Sequence, residues 1–226
     1  MSDPVYCYPP GYTVLKNKFG IQDAAALNLA EAEVVTARMM QGAPAGKFDL
    51  AHLQSIHRHL FQDVYDWAGE LRQVEISKGG SQFQPRQFIP TGMADVHRRL
   101  EAQNYLKARS AAAFAQGAGQ VIGDVNYVHP FREGNGRTQL VYLKQLGTQA
   151  GHRVDLTRIE GDAWMTASKD AHRGDYTAMQ HCIHDAIGDG QSHEETRDRQ
   201  KQLMDRLRTA QGRRISSQDQ DKDQGR

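Results

Sequence analysis

Cysteine is nearly absent from this 226-residue chain. Cys7 and Cys182 lie far apart and in no C-x-x-C arrangement, which argues against a disulfide framework or a zinc site and fits a reducing compartment. Excess charge is missing too. With 28 Lys+Arg against 27 Asp+Glu the formal net charge is +1, so no direct nucleic-acid binding is expected, since that work needs a basic face. No apolar run is long enough to span a bilayer. The segment from Met1 to Tyr6 lacks the basic region and apolar stretch of a secretory leader. The expected setting is cytoplasmic, without a membrane. What remains is an ordinary globular balance, 38% hydrophobic and 24% charged, at a length that supports one good core and an appendage.

Along the chain the dominant pattern is helical. Residues 4–20 hold Pro9-Pro10-Gly11 and scattered aromatics with no clear period, and read as an irregular arm over the core. Asp23 is placed to cap a helix carrying Leu27, Ala30, Val34, Val35 and Met39, and Gly42 to stop it. Asp49 is placed to cap the next, with Leu53, Ile56, Leu60, Phe61 and Val64 at helical spacing. From Leu71 to Pro90 the character changes: Val74 and Ile76 alternate with polar residues before Lys78-Gly79-Gly80-Ser81 and Phe83. That predicts a short β-hairpin whose polar tip touches ligand, which puts Lys78, Gly79 and Gly80 among the binding residues. Met93, Val96 and Leu100 mark a further helix. Ser110 caps a longer one bearing Phe114, Ala118, Val121, Ile122 and Val125. Because proline disfavours helix at the residue before it, His129, followed by Pro130, should stand at or just past that helix's end. Leu140, Leu143 and Leu146 share a face up to Gly151. Two more helices follow, one around Trp164 and Met165, one from Asp175 through Ile187. Beyond Gln191 the composition turns to Glu, Arg, Asp, Gln and Lys, the mark of a charged, partly disordered tail.

The chemistry concentrates in His129-Pro130-Phe131-Arg132-Glu133-Gly134-Asn135-Gly136-Arg137. Gly134 and Gly136 allow successive backbone N–H groups to converge on an oxyanion, and the next helix begins there with its positive end on the same spot. Arg137 adds a bidentate donor for phosphate oxygens. A carboxylate such as Glu133 makes sense beside phosphate through a divalent cation, and Mg²⁺ held by one carboxylate, phosphates and water fits. Imidazole is the side chain suited to taking a proton near neutral pH, so His129 is the candidate base. Together these groups describe nucleotide phosphate chemistry on a hydroxyl nucleophile.

The same stretch resembles the signature loop of Fic-domain proteins, H-x-F-x-[D/E]-G-N-G-R-x-x-R. The resemblance extends over Leu53–Arg72, with Ile56-His57-Arg58-His59-Leu60-Phe61 and Tyr65-Asp66-Trp67-Ala68-Gly69, and over the expected hairpin Ile76–Phe83. The arm and first helix are similar to those of short bacterial Fic toxins. The resemblance implies an all-α Fic fold helical bundle with a small β-hairpin flap over the active site. The Fic domain would span residues 1–190, with the arm at 1–22, the flap at about 71–90 and the tail at 191–226. It implies transfer of AMP from Mg²⁺-ATP to a target hydroxyl. His129 would deprotonate that hydroxyl and Phe131 would anchor the loop. Glu133 would hold Mg²⁺; Gly134, Asn135 and Gly136 would form the anion hole; Arg137 would grip the leaving pyrophosphate. The flap would align the target segment by strand addition.

Two departures qualify the match. The second motif arginine is Leu140 here. Leucine donates no hydrogen bond, and losing a charge-assisted contact to a γ-phosphate costs about 1.5–3 kcal/mol, roughly 10- to 150-fold in binding. Lys144 lies one turn further along that face as partial compensation. The family's inhibitory pattern [S/T]-x-x-x-E-[G/N] has no match; Thr157-Arg158-Ile159-Glu160-Gly161 is one residue short. The resemblance is therefore to toxins restrained by a separate small antitoxin, for which DNA gyrase or topoisomerase IV subunits are the expected targets. The alternatives raised by Leu140 are a weakly active or inactive Fic-like binding protein and a transferase of another phosphate-linked moiety.

Overall fold

Short polar side chains set where the helices begin. In the computed structural model, which describes residues 3–78 and 81–187, Asp23 accepts from the Ala26 N–H at 2.8 Å and opens α1, Ala24–Gln41. Asp49 does the same for α2, Leu50–Phe61, through the His52 N–H at 2.8 Å. Ser110 caps α4, Ala111–Val128, through the Ala113 N–H. Each cap satisfies a donor that the first helical turn cannot pair internally. The remaining helices are α3, Ile89–Ala102; α5, Asn135–Ala150; α6, Gly161–His172; and α7, Thr177–Ile187. The sequence expectation for α2 runs slightly long: the helix stops at Phe61, and Val64 is buried in the turn that follows.

α4 is the central element. Phe114, Ala118, Val121, Ile122 and Val125 are all buried, and the helix packs against α3, α5, α6 and α7. Glycines cost a helix about 1 kcal/mol each relative to alanine. α4 carries them where another element comes close: a Cβ on Gly123 would stand 2.6 Å from the Tyr176 ring, and one on Gly119 2.6 Å from Gln180 Cγ. They let α7 lie directly on α4.

The expected hairpin is much smaller than its alternating pattern suggests. β1, Ser77–Lys78, pairs antiparallel with β2, Ser81–Gln82, in the register Ser77↔Gln82 and Lys78↔Ser81. Gly79 and Gly80 lie outside the described residues. The flanking residues are held by other means. Arg72, 3% exposed, donates from Nε to the His129 carbonyl (2.9 Å) and from Nη1 to the Val74 carbonyl (2.9 Å). Its Nη2 donates to the Gln84 carbonyl. One guanidinium thereby ties both ends of this segment to the loop after α4. Burial draws the Arg72 guanidinium below its ordinary pKa, against the opposing pull of Glu75.

The arm folds back on the body. Cys7 pairs with Leu15 in an antiparallel bridge, Tyr6 is buried, and the Tyr6 hydroxyl accepts from the Gln73 N–H at 3.0 Å. Among the described residues no helix is long and apolar enough to cross a membrane. The charged tail expected at residues 191–226 lies outside the described residues.

Candidate active site

α4 ends on its own histidine. His129 occupies the C-cap in the left-handed region (φ 47°, ψ 64°), its N–H bonded to the Val125 carbonyl at 3.0 Å. Its ring Nδ1 lies 3.1 Å from the Asn126 carbonyl oxygen. A carbonyl only accepts, so Nδ1 carries the proton and the lone pair resides on Nε2. The turn of helix that precedes His129 fixes that tautomer. Phe83 stacks on the imidazole with centroids 3.7 Å apart and planes at 17°. Stacking engages the ring's face, whereas proton transfer uses the in-plane lone pair.

The loop beyond is clamped from inside. Phe131 is fully buried and stacks on His57 at 3.9 Å. His57 donates from Nε2 to the Glu133 carbonyl (3.0 Å) and accepts the Gly69 N–H on Nδ1 (2.8 Å). Burial holds its pKa down at about 4, outweighing the raising effect of the Glu133 carbonyl; His57 is a neutral structural brace. Asn135 spends its whole side chain on the loop: Oδ1 accepts from the Phe131 N–H at 3.0 Å, and Nδ2 donates to the Phe131 carbonyl at 2.8 Å. What Asn135 offers the site is its backbone N–H. Gly134 is the N-cap of α5 with φ 81°, and no side chain caps that helix. A Cβ at Gly134 would collide with the Phe61 ring, while one at Gly136 would meet nothing within 4 Å. Gly134 is therefore required by packing, and Gly136 keeps space open beside unpaired helix N–H groups, the geometry of an anion site.

These groups share one cavity of about 730 Å³, lined by His129, Glu133, Gly134, Asn135 and Gly136 on the loop side. Val74, Ile76 and Phe83 close a second side, and Trp164, Met165, Lys169 and His172 of α6 a third. Asp3 of the arm reaches the rim, where its ion pair with Arg132 (2.6 Å) holds it. Lys78 belongs to β1, but its side chain and all of Gly79 and Gly80 lie outside the described residues.

Arg137 stands just outside the cavity wall. Its Nη2 pairs with Glu31 Oε1 at 2.6 Å and with Glu133 Oε1 at 3.5 Å, and its guanidinium lies 4.7 Å over the Phe61 ring. Glu31, on α1, is 7% exposed and also accepts from the Tyr65 hydroxyl. Burial, and then that bond, push the Tyr65 phenol well above its ordinary pKa. The ion pairs use one nitrogen of Arg137 and fix the plane of the others. Glu31, Tyr65 and Arg72 are absent from the sequence-level site: an Ala/Glu-rich helix shows no sign of which carboxylate turns inward.

Among the described residues, Glu133 is placed to suit a divalent cation. The Glu133 side chain is 46% exposed and lies at the cavity beside the helix N-terminus, which suits an ion that takes its other oxygens from phosphates and water. Among the described residues no group of three or more His, Cys, Asp or Glu stands ready to hold a metal with protein ligands alone.

Residues 47–146 match the family model described as Fic/DOC family. The chain is 38% identical over 180 residues to the probable protein adenylyltransferase y4lH of Sinorhizobium fredii, covering 79% of this chain and 93% of that protein. The chain belongs to the Fic/DOC family. A second relative, the probable protein adenylyltransferase Fic of Escherichia coli K12, is 34% identical over 79% of this chain and 88% of its own length. Solved Fic domains share the architecture. One, from a putative cell filamentation protein of Bartonella quintana with bound ADP, superposes with a TM-score of 0.74 at 30% identity over 80% of this chain and 93% of that one. BepC of Bartonella tribocorum with bound AMPPNP gives 0.73 at 29% identity over 80% and 95%. Within this Fic/DOC fold Leu140 is half-buried against the core and Lys144 is exposed.

Proposed function

We propose that this Fic/DOC protein is a protein adenylyltransferase that moves AMP from ATP to a hydroxyl side chain of a target protein. The observation that carries the reading is the His129 tautomer: Nδ1–H is spent on the Asn126 carbonyl, so Nε2 is the acceptor in a cavity that also opens on the unpaired start of α5. In the transfer, Nε2 takes the proton of the target hydroxyl as its oxygen forms a bond to the α-phosphorus. The bond from that phosphorus to the bridging oxygen breaks, and pyrophosphate leaves. The N–H groups opening α5 stabilise the charge on the α-phosphate oxygens. Arg137, outside the cavity wall, meets the departing pyrophosphate. Mg²⁺ at Glu133, when bound, neutralises phosphate charge. The segment around β1 and β2 acts as a flap that pairs with the target backbone and brings its hydroxyl to His129. The bound ADP and AMPPNP of the solved relatives support a nucleotide donor.

The wider setting we propose is the toxin of a toxin–antitoxin pair, restrained by a separate small protein and acting on gyrase or topoisomerase IV subunits. The test incubates the full chain with cell lysate, Mg²⁺ and ATP labelled at the α- or γ-position, beside His129→Ala. Label from the α-position that vanishes in the variant is the expected result; label from the γ-position alone would replace AMP transfer by phosphotransfer. Purified topoisomerase subunits added to the reaction should become labelled, and their failure to do so would remove them as targets. Co-expression with the small open reading frame adjoining the gene should suppress labelling. A second reading, favoured by Leu140, is weak activity or a donor without a γ-phosphate. Leu140→Arg separates these two: it lowers KM for ATP several-fold if transfer is weak for want of the phosphate contact, and leaves it unchanged if the donor has no γ-phosphate.

A further inference from the structure

Among the described residues, Gln139 is a side chain of this cavity left unpaired at both its donor and its acceptor; His172 of α6 is left with one such atom, Nδ1. Gln139 lies four residues past Asn135, about 6 Å further along the same face of α5. It lines the cavity and is 1% exposed. Neither its Oε1 nor its Nε2 has a hydrogen-bond partner. Its neighbours are different. Asn135 is satisfied at both ends by Phe131. Thr138 donates to the Gly134 carbonyl at 2.9 Å, and Asn126 donates to the Ser168 carbonyl at 3.1 Å. A buried amide with no partner costs folding free energy that leucine at the same position would not. A cost of that kind, placed on a cavity wall, marks a group kept for a ligand.

We infer that Gln139 hydrogen-bonds the nucleoside half of the nucleotide donor and sets which nucleotide the site accepts. The inference rests on the reading of that donor as a nucleotide. Phosphate is already served by the N–H groups opening α5, which only donate. A carboxamide offers a donor and an acceptor side by side, the complement of adenine's N6 amino group with N7, and equally of a ribose hydroxyl. The same cavity is also lined by Trp164 and Met165 of α6, apolar surface that suits a base or sugar better than a charged oxygen. Guanine presents two acceptors along its N7/O6 edge, so the same amide satisfies it less well.

Calorimetric titration of the full chain with ATP, GTP and 2′-deoxy-ATP in Mg²⁺ tests this, using wild type, Gln139→Leu and Gln139→Glu. Wild type should prefer ATP over at least one of the two analogues. Gln139→Leu should erase that preference by roughly 5- to 100-fold, mainly by weakening ATP, while its melting temperature without nucleotide stays equal or rises. Loss of the ATP:GTP ratio places the amide on the base; loss of the ATP:2′-deoxy-ATP ratio places it on the sugar. Gln139→Glu, matched in shape but acceptor-only, should lose the contact and carries the measurement if the leucine variant folds poorly. Unchanged ratios in folded variants overturn the inference while leaving AMP transfer standing. Failure of wild type to bind any nucleotide overturns both.

Discussion

Two glycines two positions apart do different jobs, and single methyl groups separate them. Gly134 has φ 81° and abuts the Phe61 ring, so Gly134→Ala introduces both backbone strain and a clash. We expect a loss of about 2–5 kcal/mol in urea unfolding. Gly136 has no neighbour within reach of a Cβ, so Gly136→Ala should shift stability by less than about 1 kcal/mol yet depress labelling, because its methyl intrudes beside the anion site. If both variants lost stability equally, Gly136 would be a packing residue too. Glu31 makes a third case at this scale. Glu31→Gln keeps an acceptor for Tyr65 but removes the charge that fixes Arg137. Nucleotide KM should rise by about 5- to 30-fold, equivalent to ~1–2 kcal/mol, with little change in melting temperature because Arg137 has access to water.

At the scale of elements, α4 and α7 meet through glycines. Gly123→Ala gains helix propensity but drives a Cβ to 2.6 Å from the Tyr176 ring and 3.0 Å from Ala171. The net result should be a destabilisation of about 1–3 kcal/mol, measured by thermal or urea unfolding; a neutral outcome would mean that Tyr176 yields freely. The helices themselves were legible in sequence because two independent signals agree, an apolar face at helical spacing and a capping residue at its start. Asp23, Asp49 and Ser110 all cap as expected. The hairpin was over-read for a physical reason. Val74 and Ile76 do alternate, but only Ile76 meets the returning segment, through the Phe83 N–H, while the Val74 carbonyl is taken by Arg72, and pattern alone does not tell these apart. The loop residues His129, Glu133, Gly134 and Gly136, grouped by sequence as a candidate site, line one cavity. Asn135 was expected in the anion hole, and its side chain is bonded to the Phe131 backbone instead, with no sign of that in the sequence. Glu31 was not legible: nothing local separates it from Glu33, and its partner Arg137 is distant in the chain.

For the molecule as a whole, the buried His57 couples stability to pH. Folding keeps its pKa near 4, against an ordinary value of about 6.5 in the unfolded chain. The unfolded state thus binds the extra proton first, and stability falls as the medium is acidified. The contribution is complete above about pH 6.5 and drains away toward pH 4. The drop is on the order of 3 kcal/mol, as the pKa difference implies. Unfolding by urea at a series of pH values checks it, with His57→Phe expected to flatten that part of the slope. Because His57 stacks on Phe131 and bonds to the Glu133 carbonyl, the same acidification loosens the loop that carries the carboxylate and the anion site.

Arg72 has a consequence of another kind. By gripping the carbonyls of Val74 and Gln84 together with that of His129, it turns the intervening stretch into a cassette clasped at its base. Residues inside the cassette are free to diverge without moving His129. Recognition and reactivity can then drift independently, and an engineer wishing to redirect such an enzyme would graft between those two anchor points and leave the arginine in place.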